Sequence, residues 1–380
     1  MTPSTTEQAF EDAIECALLQ SGPDSCPTYK ARVREPDSGY GPSFKPGGYH
    51  RRTSAEYNRE RCLISRDVTD FIIASQPKSW KRLQQLLGAD YKECFLDHLA
   101  HQLRRRGVVD VLRNGIKDHG IRFHLAYFPP ASGLNQEASR LHKANLFAVV
   151  RQLRYKPNSE QSLDLAIFVN GIPVFTTELK NPLTGQDVRD AVAQYRKDRN
   201  PGNALLAPGR CIAHFAVDPN LVYVTSRLEG TATRFHPFNQ GRDEGAGNPP
   251  VAPIAGAYST DYLWNRIWAR DSILNLIQQF VHEDSRTKGG KARPNLIFPR
   301  YHQIDAVREL VGHARNYGAG QRYLIQHSAG SGKSFTIAWL AHQLSSLHDE
   351  EDNAVFDSVV VVSDRRVLDR QLQRAIQQFE

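Results

Sequence analysis

Residues 162–182 read SLDLAIFVNGIPVFTTELKNP. Apart from Asp164, positions 163–169 are apolar, a run short enough for a strand; Asn170-Gly171 is a turn dipeptide, and 172–179 is rich in β-branched and aromatic residues. The pattern predicts a β-hairpin. Side chains on a strand alternate between faces, so Glu178 and Lys180 are expected to point the same way, with Asp164 brought beside them from the partner strand. Two carboxylates and an ammonium would then converge at one end of a sheet.

Two neighbouring carboxylates repel each other unless a divalent cation neutralises them, and Mg²⁺ is the usual choice. A cation so held activates water and stabilises charge on a phosphate oxygen, while a lysine orients the water or offsets the developing charge. Those are the parts of a phosphodiesterase. The bland alternative is an ordinary hairpin carrying a solvent-facing Glu/Lys pair.

The wider stretch 146–182, LFAVVRQLRYKPNSEQSLDLAIFVNGIPVFTTELKNP, resembles the nuclease core of the HsdR-type subunit of type I restriction enzymes, within the PD-(D/E)xK superfamily. The resemblance implies that Asp164, Glu178 and Lys180 are the catalytic acid, acid and lysine. It also implies Mg²⁺, or Mn²⁺, as cofactor, with Asp164 and Glu178 as its ligands. Leu163 stands where the superfamily name has proline. The Gln-x-x-x-Tyr element of some relatives is absent in that spacing; in the following DVRDAVAQYRKDRNP, Gln194 and Tyr195 are adjacent, and whether either takes that role is open.

Length and charge set the outer limits. The 380 residues predict about two domains, and a formal net charge of +7 favours a polyanionic partner. Five cysteines without a C-x-x-C pair argue against a disulfide framework or a zinc site and fit a reduced cytoplasm. No apolar run approaches a membrane span, and MTPSTTEQAFEDAIE lacks the regions of a signal peptide. A cytoplasmic protein with no membrane partner is expected.

Along the chain, Thr5/Thr6, Glu7 and the periodic set Phe10, Ile14, Ala17, Leu18 predict a capped amphipathic helix ending near Gly22. In the PD-(D/E)xK fold a helix before the sheet often adds an acid. Glu11 is the candidate metal ligand there, or else a solvated glutamate. Residues 27–57, rich in Pro, Gly, Ser and Arg, read as a flexible insertion that either touches DNA or a partner, or is a polar loop. Two helices are expected over 79–107, with Tyr91, Phe95, Leu99 and Leu103 on one side. The run Arg104-Arg105-Arg106 either neutralises phosphates or complements a helix C-terminus. Residues 108–130, VVDVLRNGIKDHGIRFHLAYFPP, again resemble the HsdR-type subunit, which implies strands at 108–112 and 121–128; a helix is expected at 137–150, a strand at 151–155, a helix after the hairpin and two strands around Asp218-Pro219-Asn220. Residues 233–241, TRFHPFNQG, resemble the segment closing the family's nuclease domain, and 245–256 reads as a linker to a boundary near 260.

Beyond it, 298–303, FPRYHQ, opens a helix with Ile304, Val307, Leu310 and Val311 on its buried side. Gln303 matches the glutamine that superfamily 2 helicases place against adenine. A short strand at 323–326 leads into HSAGSGKS and a helix over 335–344, the order a P-loop requires. Backbone N–H groups of Gly330, Ser331 and Gly332 would cradle phosphates, with Lys333 reaching the β/γ-phosphates and Ser334 binding the nucleotide's Mg²⁺. His327 replaces the first glycine of the full pattern. Residues 358–363, SVVVVS, predict a buried parallel strand, and Asp364-Arg365-Arg366 resembles motif Ia.

The fold class expected is therefore α/β: a PD-(D/E)xK nuclease domain with a mixed sheet flanked by helices over 1–260, then part of a RecA-like superfamily 2 helicase domain over 261–380. What remains after the P-loop is too short for the rest of a motor, so an N-terminal fragment without productive ATP hydrolysis is expected. The resemblance implies an endonuclease that cuts double-stranded DNA in an ATP-dependent complex with methyltransferase and specificity subunits. Two other classes stay open: a nucleotide-binding motor whose nuclease fold is structural, and a non-catalytic interaction module docking DNA through its basic surface.

Overall fold

The computed structural model describes residues 7–26, 41–130, 135–242, 245–251, 257–284, 295–349 and 351–363, together with 373 and 376. Helix α1 (Glu7–Leu19) buries Phe10, Ile14, Ala17 and Leu18, the periodic set expected of it. Thr5 and Thr6 lie outside the described residues, as does the 27–40 part of the expected insertion. The rest of that insertion is structured: strand β1 (His50–Arg52) joins the main sheet, and Tyr49 and Tyr57 are buried, so these aromatics pack inside rather than facing a partner. The polar composition concealed this because the residues between the aromatics reach solvent.

Helices α2 (Ser65–Ser75), α3 (Pro77–Leu87) and α4 (Tyr91–Arg106) follow, and α4 buries Phe95, Leu99 and Leu103. Arg104 and Arg105 are exposed, whereas Arg106 is tied to Asp110 and the Gly115 carbonyl. The strand expected at 108–112 is instead helix α5 (Val108–Asn114). Its β-branched run also has helical spacing: Val108, Val111 and Leu112 are buried at i, i+3 and i+4, and Gly107 and Gly115, both at positive φ, bound it. A small hairpin, β2 (Ile116–Asp118) and β3 (Ile121–Phe123), takes up only the start of the strand expected to 128. From His124 the backbone is claimed by a side chain instead, its N–H donating to Gln76 Oε1. Helix α6 (Gln136–Lys143) stops short of the expected 150, because the Asn145 side chain bonds the His142 and Tyr127 carbonyls and the chain turns into the sheet.

The main sheet is completed by β4 (Phe147–Arg154), β5 (Ser162–Val169), β6 (Ile172–Leu179), β7 (Ala213–Val217), β8 (Val222–Thr225) and β9 (His236–Pro237), with α7 (Val188–Lys197) between β6 and β7. Its order is β1-β4-β5-β6-β7-β8-β9, parallel at β1/β4 and β6/β7 and antiparallel elsewhere. This is the expected mixed sheet flanked by helices. Leu165, Ile167 and Val169 of β5 enter the core shared with α1, and Ala166 and Phe168 enter a second core with Tyr195 of α7. Burial on both faces explains why this segment reads as a continuous apolar run rather than an alternating one. At the hairpin tip Asn170 and Gly171 both have positive φ, as a two-residue turn of mirror-image type requires. A bulge at 167/168 inserts Val174 into β6.

The core continues across residue 260: Phe10 meets Trp264 edge-on at 5.9 Å, and Phe215 meets Trp268 at 5.4 Å. Helix α8 (Arg270–Asn275) sits between two single π-type turns and is followed by β10 (His282–Asp284), β11 (Asn295–Ile297), α9 (Tyr301–Tyr317) and α10 (Lys333–Ser345). The strands expected at 323–326 and 358–363 do not form. Leu324 is 92% and Val362 88% exposed, and among the described residues neither run pairs with a neighbouring strand, without which an apolar run has no ladder to join. Residues 364–366 lie outside the described residues. The expectation of reduced, unpaired cysteines is also corrected: Cys16 on α1 and Cys26 are joined as a disulfide, while Cys62, Cys94 and Cys211 are free. Spacing alone gave no sign of it, since the turn after α1 brings the two together.

Candidate active site

The hairpin register pairs Leu165 with Thr177, so one step further Asp164 lies across from Glu178. The Val174 bulge sets this match; without it Asp164 would face Thr177. All three expected residues are buried or nearly so: Glu178 is fully buried, Asp164 and Lys180 are 8% exposed. Asp164 Oδ2 accepts from the Leu179 N–H at 2.7 Å, which pins its carboxylate to the end of β6. Asp164 also belongs to a cluster with Glu7 and Glu11 of α1, in which one carboxylate oxygen from each lies within 4.8 Å of the others. Glu11, the acid expected from the first helix, therefore stands at the site; Glu7 was not expected there.

Glu178 and Lys180 have different partners. Lys180 Nζ approaches Glu7 Oε1 at 3.4 Å, whereas Glu178 Oε1 accepts from Arg199 Nε at 2.5 Å. β6 ends at Leu179, although the Lys180 N–H still donates to the Val217 carbonyl at 2.9 Å and carries the pairing with β7 one residue further. Arg199 also donates to the Ser162 carbonyl at 2.7 Å, while Glu178 Oε2 is buried without a hydrogen-bond partner. Burial first, and the neighbouring Asp164 carboxylate second, push Glu178 up to about 8 against the pull of Arg199. Glu11 is likewise raised, mainly by burial, with Arg151 opposing.

Behind Glu178, Thr176 Oγ1 meets Tyr195 OH at 2.9 Å and His214 Nδ1 at 2.7 Å, all buried; burial alone lowers His214 to about 3, so it is neutral. Tyr195 thus serves this packed network. Gln194 is half-buried next to it on α7. Arg199 lies beyond the end of α7, and no local signal in the sequence ties it to the hairpin.

Three converging carboxylate oxygens, and a buried fourth acid with one oxygen unpartnered, suit a hard divalent cation, which prefers oxygen ligands. Lys180 stands alongside this cluster, 3.4 Å from Glu7.

At the second predicted site, Gly330 and Gly332 take positive φ and α10 begins at Lys333, with Ser334 beside it. Lys333 Nζ donates to the His327 and Ser328 carbonyls at 2.8 and 2.9 Å, folded over its own loop. Gln303 Nε2 donates to the Gly332 carbonyl at 3.0 Å, and His302 Nε2 lies 3.3 Å from the Ser331 carbonyl. Gln303, Gly330, Ser331, Gly332, Lys333 and Ser334 are therefore gathered at one helix N-terminus, where phosphate is favoured.

An acid-lined mixed sheet followed by a glycine loop defines a class, and the comparisons agree with it. Residues 134–233 match the family described as type I restriction enzyme R protein N terminus, and residues 302–380 match the SWI2/SNF2 ATPase family. The chain is 24% identical to the putative type I restriction enzyme MjaVIIIP endonuclease subunit of Methanocaldococcus jannaschii over 74% of its length and 26% of that protein's. It is 25% identical to the type I restriction enzyme HindI endonuclease subunit of Haemophilus influenzae over 60% of its length and 21% of that protein's. The resemblance to the N-terminal region of an HsdR-type subunit is thus borne out. The chain spans about a quarter of the length of these relatives. Among the described residues no helix is long and apolar enough to cross a membrane.

Proposed function

We propose that the site at Asp164, Glu178 and Lys180 is a metal-dependent endonuclease centre of PD-(D/E)xK type that hydrolyses phosphodiester bonds of double-stranded DNA. The observation that carries this reading is the convergence of Glu7, Glu11 and Asp164 beside Lys180 at the end of the hairpin. Asp164, with Glu7, Glu11 and Glu178, would hold Mg²⁺ or Mn²⁺. When bound, the ion supplies a nucleophilic water and neutralises charge on a phosphate oxygen. Asp164 is oriented for its part by the Leu179 N–H. Lys180, released from Glu7, offers its ammonium to the pentacoordinate phosphorus centre as negative charge grows there. Glu178, held by Arg199 and giving up its proton to the incoming ion, would add its unpartnered oxygen to the ligand set.

We assign the endonuclease unit to the part expected over 1–260 and carry it past that point, since Trp264 and Trp268 pack against Phe10 and Phe215, and we assign the part matched at 302–380 to a RecA-like ATPase unit. Gln303, Gly330 to Ser334 and Mg²⁺ at Ser334 would bind ATP. The relatives are named as endonuclease subunits, which supports work on DNA within a multisubunit type I complex; methyltransferase and specificity subunits as its partners, and a cytoplasmic location, are part of the proposal. A second reading, a nucleotide-binding module with a non-cleaving nuclease fold, is favoured by the Arg199 guanidinium already neutralising Glu178. Mg²⁺-dependent cleavage of plasmid DNA separates the two. Loss of cutting in folded Asp164→Ala and Lys180→Ala variants supports the nuclease, and undiminished cutting in both favours the second reading.

A further inference from the structure

We propose that Gln152 is the positioning residue that assembles the acid cluster, acting through its backbone and its side-chain amide together. The inference rests on the nuclease reading of the site but concerns a residue outside the predicted catalytic set.

The starting observation is conformational. Gln152 lies within β4 yet has φ of +46°, a region that side chains other than glycine's enter only when the surroundings hold them there. Its effect can be read from the packing. Phe147 and Val149 enter the core shared with α1, while Ala148 and Val150 enter the core shared with α7. Regular alternation would send Arg151 to the α1 side, Gln152 to the α7 side and Leu153 to the α1 side. Arg151 does reach α1, its Nη2 lying 3.0 Å from Glu11 Oε2. Gln152 reaches it as well, with Nε2 2.8 Å from Glu11 Oε1, and Leu153 then enters the α7-side core. Two consecutive residues of one strand thus grip the same carboxylate, and alternation resumes one step out of phase.

The partner strand slips at the same place. Gln152 lies opposite Asp164, between the pairs Arg151↔Leu165 and Leu153↔Leu163, so pairing keeps its register. On β5, Leu163 belongs to the α7-side core and Leu165 to the α1-side core, two residues apart on opposite faces. The break therefore falls at Asp164, and it turns that carboxylate toward the acids of α1. The amide completes the arrangement: Nε2 also lies 3.4 Å from Asp164 Oδ1, and Oε1 accepts from Ser162 Oγ at 2.9 Å, which fixes the amide with its donors toward the two acids. An uncharged donor shared by two carboxylates sets their spacing without cancelling the charge that a cation needs.

The test is Mn²⁺ titration calorimetry on the protein and on Gln152→Gly and Gln152→Val, each with a thermal melt, and on Asp164→Asn as a control. Glycine accepts the backbone conformation freely, so Gln152→Gly should melt at or above the parent temperature yet bind Mn²⁺ about 10-fold more weakly, the usual effect of losing a residue that orients ligands. Valine rejects positive φ, so Gln152→Val should lose Mn²⁺ binding further. Parent-like affinity in Gln152→Gly would overturn the proposal, as would a drop in melting temperature that accompanies any loss of affinity, which marks a purely structural role. Mn²⁺ binding that survives Asp164→Asn would place the ion elsewhere and defeat the acid-site reading itself. Binding lost in Asp164→Asn but intact in Gln152→Gly would defeat only the role of Gln152.

Discussion

Arg199 and Glu178 form a buried ion pair, Nε to Oε1 at 2.5 Å, with side chains 7% and 0% exposed. Removing one partner of such a pair strands the other without compensation. Above about pH 8, where Glu178 is ionised, Arg199→Ala is expected to lower unfolding free energy by about 3–5 kcal/mol, and adding Glu178→Gln to recover part of the loss. Urea denaturation of the single and double variants measures both; additive losses would show that the two residues are not coupled.

The raised Glu178 acid also makes stability depend on pH. Its folded value of about 8 lies above the ordinary 4.5, so between those values the folded state binds the extra proton. Stability from this group is therefore present below about pH 4.5 and is lost as pH rises toward 8. Comparing melts of the parent and Glu178→Gln across this range isolates the effect: the difference curve should slope downward for the parent, and a flat difference would contradict the assignment. Because a cation displaces that proton, metal affinity should climb over the same window.

Much of this arrangement was legible in the sequence, but unevenly. The hairpin was readable because Asn170-Gly171 demands positive φ at both positions and the flanking runs have strand length and composition. Helices α3, α4, α7 and α9 were readable from apolar period and breakers. The strand that the resemblance implied at 108–112 is a helix, because Val108, Val111 and Leu112 pack into the core at helical spacing. At the site, Asp164, Glu178 and Lys180 share one local motif. Glu7, Gln152 and Arg199 come to it from separate elements, through a strand twist and a helix end that no short window encodes.

The hairpin tip offers a stability test independent of chemistry. A Cβ on Gly171 would lie 2.4 Å from the Ile64 carbonyl oxygen, at a φ of +76°. Gly171→Ala is expected to cost about 1–3 kcal/mol from the strained conformation, more if Ile64 cannot shift. A variant as stable as the parent in urea would mean that the turn is not as described.

At the glycine loop, nucleotide must draw Lys333 away from the His327 and Ser328 carbonyls. Lys333→Ala should weaken binding of a fluorescent ATP analogue by at least about 10-fold, about 1.4 kcal/mol. Unchanged affinity would argue that the loop does not hold phosphate.

The central claim is that the acids at 7, 11, 164 and 178 hold a divalent cation where DNA is cut. Its most direct test is anomalous scattering from crystals of the protein grown with Mn²⁺. The expected result is a manganese peak within bonding distance of Asp164 and at least one of Glu7, Glu11 and Glu178, with Lys180 beside it. Saturating Mn²⁺ with no peak at Asp164, and Arg199 still closed on Glu178, would contradict it.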